Sequence, residues 1–72
     1  MPKLPVLSGA EIVRALEKLG FMQVRQRGSH VVLRRGNAGT VVPLHREVKL
    51  GTINGILRQA QIAPDDFLAA LD

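Results

Sequence analysis

The sequence predicts an α+β fold in which helices cover one face of a small three-stranded antiparallel sheet. Apolar residues follow helical spacing in two segments, one near the start of the chain and one after its middle. Between these segments lie three short runs rich in β-branched residues, separated by turns that contain glycine. A third, short helix is predicted to begin at Pro64. The predicted order is α-β-β-β-α-α in two layers.

The first helix has a start signal and a stop signal. Residues 1–8, which include two prolines, are predicted to form an extended arm. Ser8 and Glu11 have the spacing of a capping box, in which each side chain bonds the backbone N–H of the other residue. Gly20 is suited to the left-handed conformation that ends a helix. The predicted buried stripe consists of Ile12, Val13, Leu16 and Leu19.

The middle of the chain predicts a meander of three strands. The predicted strands are residues 21–26, 29–35 and 40–42. Arg27-Gly28 is predicted to be a two-residue turn, because glycine accepts the positive φ that hairpin turns need. Residues 36–39 form the second turn by composition. Pro43 ends the third strand, because proline cannot donate to a strand ladder.

Two helices are predicted to follow the sheet. The apolar spacing of the second helix is carried by Ile53, Ile56, Leu57 and Ala60. The third helix has Pro64 at its first position and Asp65 and Asp66 in its first turn, where acids favour the helix dipole. Its predicted buried side consists of Phe67, Leu68 and Leu71.

Composition limits the class of protein. The 72 residues are expected to form one domain, residues 1–72, and a 46% hydrophobic content supports a packed core. The chain has no cysteine, which excludes disulfides and thiolate metal sites. No apolar stretch approaches the ~20 residues of a membrane span, and no signal-peptide run follows the start, so we expect a cytoplasmic protein without a membrane partner.

The charge is positive and unevenly placed. The net charge is +4, and residues 21–46 contain no aspartate or glutamate. That segment contains Arg25, Arg27, Arg34, Arg35 and Arg46. Such a segment is typical of a surface that meets a polyanion, although a solvated basic surface is the alternative.

Gly28-Ser29-His30 is the candidate catalytic motif. An imidazole, with its ordinary pKa near ~6.5, can both take and give a proton around neutrality. In RNA cleavage, a base removes the proton of a ribose 2′-hydroxyl, whose oxygen then attacks the adjacent phosphorus without any need for a metal. Strand alternation predicts that His30 and Arg34 face outward if the apolar residues beside them face the helices. His30 is therefore the candidate base, with an ordinary surface histidine of the strand as the alternative. Gly28 is the turn residue that directs it, and Ser29 either contacts phosphate or imidazole or caps the turn.

Other residues are weaker candidates. His45 is a second acid/base candidate, as a possible acid only, and a loop histidine near the nucleic-acid or partner surface is the favoured interpretation. The candidates for binding RNA phosphates are Arg25, Arg27, Ser29, Arg34, Arg46 and Lys49. Two histidines and scattered acids do not form a metal-ligand cluster, so we expect neither a metal nor a cofactor. The two phenylalanines lie on predicted core faces, which argues against base stacking.

An ordered set of short strings resembles the HicA toxin family. The strings are residues 4–9 (LPVLSG), 16–21 (LEKLGF), 27–30 (RGSH), 42–46 (VPLHR), 51–53 (GTI) and 56–60 (ILRQA). Each string alone is weak, but their order and spacing in so short a chain are specific. The resemblance covers residues 4–71. Two positions depart from the family pattern, because Gln61 stands where the family often has glycine and Ala63 where it often has serine or threonine.

The resemblance implies a fold, an activity and a partner. The implied fold is similar to the double-stranded-RNA-binding domain. The implied activity is that of a type II toxin, a ribosome-independent mRNA endoribonuclease that inhibits translation, with His30 as its catalytic histidine. The implied partner is a HicB-type antitoxin that covers the active site. Two alternatives remain open from the residues: an RNA-binding module of the same fold without chemistry, and a protein that mainly binds an acidic regulator.

Overall fold

A computed structural model describes residues 4–71. The first three residues of the predicted extended arm lie outside the described part. The rest of the arm has no regular structure except at Leu7, which forms an isolated antiparallel bridge with Val48. The elements are α1 Gly9–Lys18, β1 Met22–Arg27, β2 His30–Arg35, β3 Ala38–Pro43, α2 Leu50–Ala60 and α3 Pro64–Ala70.

The predicted fold class is confirmed. The strands form one antiparallel sheet in the order β1-β2-β3. The helices pack on one side of it, because α1 and α2 contact β3 while α3 packs against α1. This arrangement agrees with the fold of the double-stranded-RNA-binding domain that the resemblance implies. The other side of the sheet carries no element of the described chain.

The hydrophobic core lies between the sheet and the helices. Residues of β2 alternate as predicted, since Val31 and Leu33 are buried towards the helices. The largest fully buried side chains are Phe67, Ile12, Leu16, Leu33, Ile53 and Val42. The one buried polar side chain among residues 4–71 is Thr40, whose hydroxyl donates to the Gln59 side-chain oxygen at 3.0 Å. Burial of this polar group is therefore compensated by a hydrogen bond.

The predicted capping box begins α1. The Ser8 hydroxyl accepts from the Glu11 N–H at 3.2 Å, and the Glu11 carboxylate accepts from the Ser8 N–H at 2.9 Å. The hydrogen bond from the Ser8 backbone N–H holds the pKa of Glu11 below its ordinary value, and the bond from the Ser8 hydroxyl adds a smaller lowering. The predicted stop signal is also confirmed, since Gly20 has a φ of +97°.

The first hairpin turn lies one residue later in the chain than predicted, and the second lies within the predicted residues 36–39. The first turn is Gly28-Ser29 rather than Arg27-Gly28, because Arg27 pairs with His30 in the ladder. Gly28 has a φ of +56°, and Ser29 has no positive φ. Glycine at the first central position is the pattern of a type II′ turn, which explains why the turn begins at Gly28. The second turn is Gly36-Asn37, so β3 begins at Ala38 rather than at residue 40 and extends through Pro43.

Strand β1 departs from simple alternation. The register shifts between Gln23 and Arg25, which leaves Val24 as the extra residue of a bulge. Met22 therefore lies on the same face as Arg25, whereas alternation paired it with Val24. All six residues of β1 are exposed, and this edge strand pairs with β2 alone. Phe21 is buried but lies just before the strand.

Helix α3 is partly buried, and the two residues that depart from the family pattern lie between α2 and α3. In α3, Phe67 is fully buried as predicted, whereas Leu68 and Leu71 are half-buried. Gln61, which follows α2, adopts the left-handed conformation with φ 58° and ψ 45°. Ala63 precedes α3 and offers no side-chain cap. Within residues 4–71, no helix is long and apolar enough to cross a membrane.

Candidate functional site

One side of the sheet, here named the open face, collects the predicted site residues. Directly opposed residues of an antiparallel pair point to the same side. Because Val31 and Leu33 point to the helices, the residues next to them in β2 point to the opposite side of the sheet. The β1 and β3 residues paired with those β2 residues point to that same side. The open face consists of Met22, Arg25 and Arg27 of β1, His30, Val32 and Arg34 of β2, and Gly39, Val41 and Pro43 of β3.

His30 lies at one end of the open face. It is the first residue of β2 and is paired with Arg27 on one side and Pro43 on the other. Cβ atoms of directly opposed residues lie about 4.5–5.5 Å apart. The imidazole is exposed, and it makes no hydrogen bond or ion pair with another residue of the described segment 4–71. Both ring nitrogens are therefore available to a ligand, with a guanidinium on the adjacent strand.

Three arginines line the open face. Arg27 is opposite His30, Arg25 is opposite Val32, and Arg34 is paired with Met22 and Gly39. The stem of Arg34 lies close to the space above Gly39, where a Cβ would come within 3.5 Å of it. Across residues 4–71, none of these arginines forms an ion pair with a carboxylate. The open face is thus a positively charged surface with exposed apolar side chains between the charges, Met22 and Val41 among them.

Arg35 differs from the other arginines of the basic segment. Its guanidinium donates to the Leu19 carbonyl at 2.6 Å and lies 4.8 Å from the centre of the Phe21 ring. The hydrogen bond joins β2 to the end of α1, and the ring contact joins it to the segment just before β1. Arg35 therefore stabilises the fold and does not contribute to the open face. Strand alternation had placed Arg34 on the outward face, but nothing in the sequence indicated the contacts that Arg35 makes with Leu19 and Phe21.

The turn before His30 is held from two sides. The Ser29 carbonyl accepts from the Leu44 N–H at 2.6 Å, which prolongs the pairing of β2 with β3. The Gln26 side-chain amide donates to the Gly28 carbonyl at 3.0 Å. Sequence reasoning did not single out Gln26, and no pattern in the chain would have indicated this contact. Gly28 serves the turn through its φ alone, since a Cβ there would meet no atom within 4 Å.

His45, Arg46 and Lys49 belong to the loop between β3 and α2. The His45 carbonyl accepts from the Gly9 N–H at 2.9 Å, and the Val48 N–H donates to the Leu7 carbonyl at 2.8 Å. A Cβ at Gly9 would overlap the Pro43 carbonyl oxygen, so glycine allows this close approach. The loop is therefore anchored to the start of α1.

The loop is adjacent to the His30 end of the sheet, because its first residues follow the partner of His30. The side chains of His45, Arg46 and Lys49 are exposed, but they are outside the strand ladder that defines the open face. No hydrogen bond joins the two imidazoles in the described chain. The structure thus brings together Arg25, Arg27, His30 and Arg34. The three loop residues lie in the segment that follows Pro43, and no contact joins their side chains to that group in the described chain.

The site is a surface and not a deep pocket. Across residues 4–71, no group of three or more His, Asp or Glu side chains is arranged to hold a metal ion. The aromatic rings of Phe21 and Phe67 are buried, as predicted. An exposed imidazole beside guanidinium groups can exchange a proton with a ligand whose negative charge the guanidinium groups hold.

Comparison with known families agrees with the motifs. The sequence model described as "HicA toxin of bacterial toxin-antitoxin" matches residues 9–62, which is most of the chain and includes α1, the sheet and α2. Comparison with curated proteins finds no match. Because the match spans the elements that carry the open face and the loop beside it, the chain belongs to the HicA family of toxins of bacterial toxin–antitoxin systems.

Proposed function

We propose that this toxin is an endoribonuclease in which His30 acts as the general base. The observation that carries the proposal is the position of His30 on the open face, exposed, without a hydrogen-bond partner in the described chain and directly opposite Arg27. A general base must form a hydrogen bond to the hydroxyl whose proton it removes, so its ring nitrogen must not already be bonded to another residue. A cation that binds the phosphate must lie close to that base, and the direct pairing of Arg27 with His30 supports this role for Arg27.

The proposed reaction uses the nucleophile that RNA itself carries, so it needs no metal. His30 takes the proton of the 2′-hydroxyl, the 2′-oxygen bonds to phosphorus, and the bond from phosphorus to the 5′-oxygen breaks. Arg27 stabilises the negative charge that grows on the non-bridging oxygens. The leaving 5′-oxygen takes a proton from an acid, for which His45 is the candidate. The products are a 2′,3′-cyclic phosphate and a 5′-hydroxyl.

RNA binding is proposed to follow the basic residues from the His30 end of the sheet. Arg25 and Arg34 continue the open face away from His30, and Ser29, Arg46 and Lys49 add contacts at the turn and the loop. These groups contact phosphates and carry little sequence information. With both aromatic rings in the core, stacking on bases contributes nothing. We therefore expect loose sequence preference and strong dependence of affinity on salt.

The proposed biological setting follows from the family. The substrate is mRNA, cut without the ribosome, and the site of action is the cytoplasm, where mRNA is translated. A HicB-type antitoxin is the proposed partner, and it would inhibit by covering the open face. The positive charge of that face and its exposed Met22 and Val41 suit a partner with acidic and apolar groups.

The test compares wild type, His30→Ala and His45→Ala on a mixed-sequence RNA in the presence of EDTA. Loss of a general base lowers the rate by roughly 10²–10⁴-fold, so His30→Ala should abolish visible cleavage. His45→Ala removes the candidate acid, an exposed imidazole in the loop after β3, and tests its role separately from that of His30. Wild-type products should carry 2′,3′-cyclic phosphate ends, and circular dichroism and RNA binding should be unchanged in His30→Ala.

Each other outcome has a definite reading. Equal cleavage by wild type and His30→Ala would refute the role of His30. Loss of cleavage in both variants would indicate a base and acid pair. Tight binding of RNA that stays intact in every reaction would favour the RNA-binding module without chemistry.

A further inference from the structure

The hairpin that presents His30 contains a hydrogen bond that fixes one peptide group. Gln26 is paired with Val31, so its side chain lies on the helix side of the sheet. From there, its amide nitrogen reaches the Gly28 carbonyl oxygen at 3.0 Å. The carbonyl belongs to the central peptide of the turn, between Gly28 and Ser29. That carbonyl is therefore drawn towards the helix side.

The other end of the same peptide then points the opposite way. The described chain has no cis peptide bond, and in a planar trans peptide the C=O and N–H bonds are antiparallel. The Ser29 N–H is thus directed to the side of the open face, where Arg27 and His30 lie. It has no acceptor among residues 4–71. An oriented backbone donor without a partner is available beside the candidate base.

We propose that the Ser29 N–H donates to a non-bridging oxygen of the phosphate that is attacked, and that Gln26 is the positioning residue that holds this donor in place. The inference rests on the proposed ribonuclease activity. Donors that are aimed in advance at growing negative charge stabilise a transition state without further reorganisation. Arg27 and the Ser29 N–H would then hold the phosphate while His30 takes the proton.

Gln23 provides a matched control for Gln26. It lies on the same strand and the same helix side, opposite Leu33, and its amide donates to the Glu17 carboxylate at 3.3 Å. Its bond does not touch the turn. Methionine has nearly the length of glutamine and no charge, so Gln26→Met and Gln23→Met each remove one side-chain hydrogen bond from β1 with little change in volume.

The experiment measures kcat and KM for wild type, Gln26→Met and Gln23→Met on one RNA oligonucleotide. It also follows the Ser29 amide signal by NMR while the 2′-deoxy form of that oligonucleotide is added. Removal of one oriented donor costs about 10²–10³-fold in kcat, and partial misorientation in Gln26→Met should cost at least about tenfold. KM and the shape of the pH–rate profile should stay unchanged. The Ser29 amide should shift on binding in wild type and Gln23→Met, and much less in Gln26→Met.

The outcomes separate this inference from the proposed function. An unchanged kcat in Gln26→Met, or an equal loss in Gln23→Met, would overturn the role of Gln26. A Ser29 amide that does not move in wild type would overturn the phosphate contact. If that amide shifts in wild type but the RNA is never cut, the contact stands as a binding contact and the ribonuclease proposal fails.

Discussion

Replacement of Gln61 by glycine should stabilise this protein. Gln61 is the only non-glycine residue of the described chain with a positive φ, and it is exposed. Its N–H and that of Ile62 bond back to Arg58 and Leu57 at 3.2 and 3.0 Å, which holds the left-handed conformation at the end of α2. That conformation costs an L-residue about 1–2 kcal/mol through its Cβ.

Glycine avoids the Cβ cost but loses about 0.5–1 kcal/mol of backbone entropy on folding. The expected net gain of Gln61→Gly is therefore about 0.5–1 kcal/mol. For a domain of this size each kcal/mol corresponds to about 4–8 °C in Tm. Urea unfolding followed by circular dichroism measures the gain. The control is Gln61→Ala, which removes the same side chain but keeps the Cβ and should give no gain. No stabilisation in Gln61→Gly, or an equal one in Gln61→Ala, would refute the reasoning.

Two further predictions concern β2 and α1. Arg34→Ala should reduce RNA affinity and lower the slope of log affinity against log salt by about 0.7, the value for one phosphate of a single strand, with little loss of stability. Arg35→Ala should leave that slope unchanged and lower the free energy of unfolding by about 1 kcal/mol, because it loses the bond to Leu19; equal slopes in both variants would contradict the assignment. Because the pKa of Glu11 is lower in the folded state, its ionised carboxylate stabilises the fold at pH values above the ordinary pKa of 4.5. That stabilisation is lost as the pH falls through the lower folded-state pKa. The stability difference between wild type and Glu11→Gln should therefore shrink on acidification, and a difference that is constant with pH would contradict this.

Features that depend on near neighbours in the chain were predictable. The capping box of Ser8 and Glu11 needs residues three apart, and it is present as predicted. The alternation of β2 follows from one buried face, so His30 and Arg34 were correctly placed away from the helices. The left-handed Gly20 was also predicted, because few other residues accept that conformation.

The departures occur where one face of a strand is not held by the core. Both faces of β1 are exposed, so burial does not select its alternation, and the bulge at Val24 had no signal in the sequence. The turn consists of Gly28-Ser29 instead of the predicted Arg27-Gly28, because Arg27 pairs with His30 and only the two residues between them remain unpaired. Pairing across strands is a property of the assembled sheet.

The sequence by itself determined the elements, the basic segment and the histidine motif, because periodicity, caps and turn glycines act over a few residues. Only the tertiary structure decided which of those residues meet. It placed Arg27 opposite His30, used Arg35 to join β2 to α1, and brought Gln26 to the Gly28 carbonyl. These contacts depend on strand register and on how the helices pack against the sheet, and both arise from burial of the whole core at once.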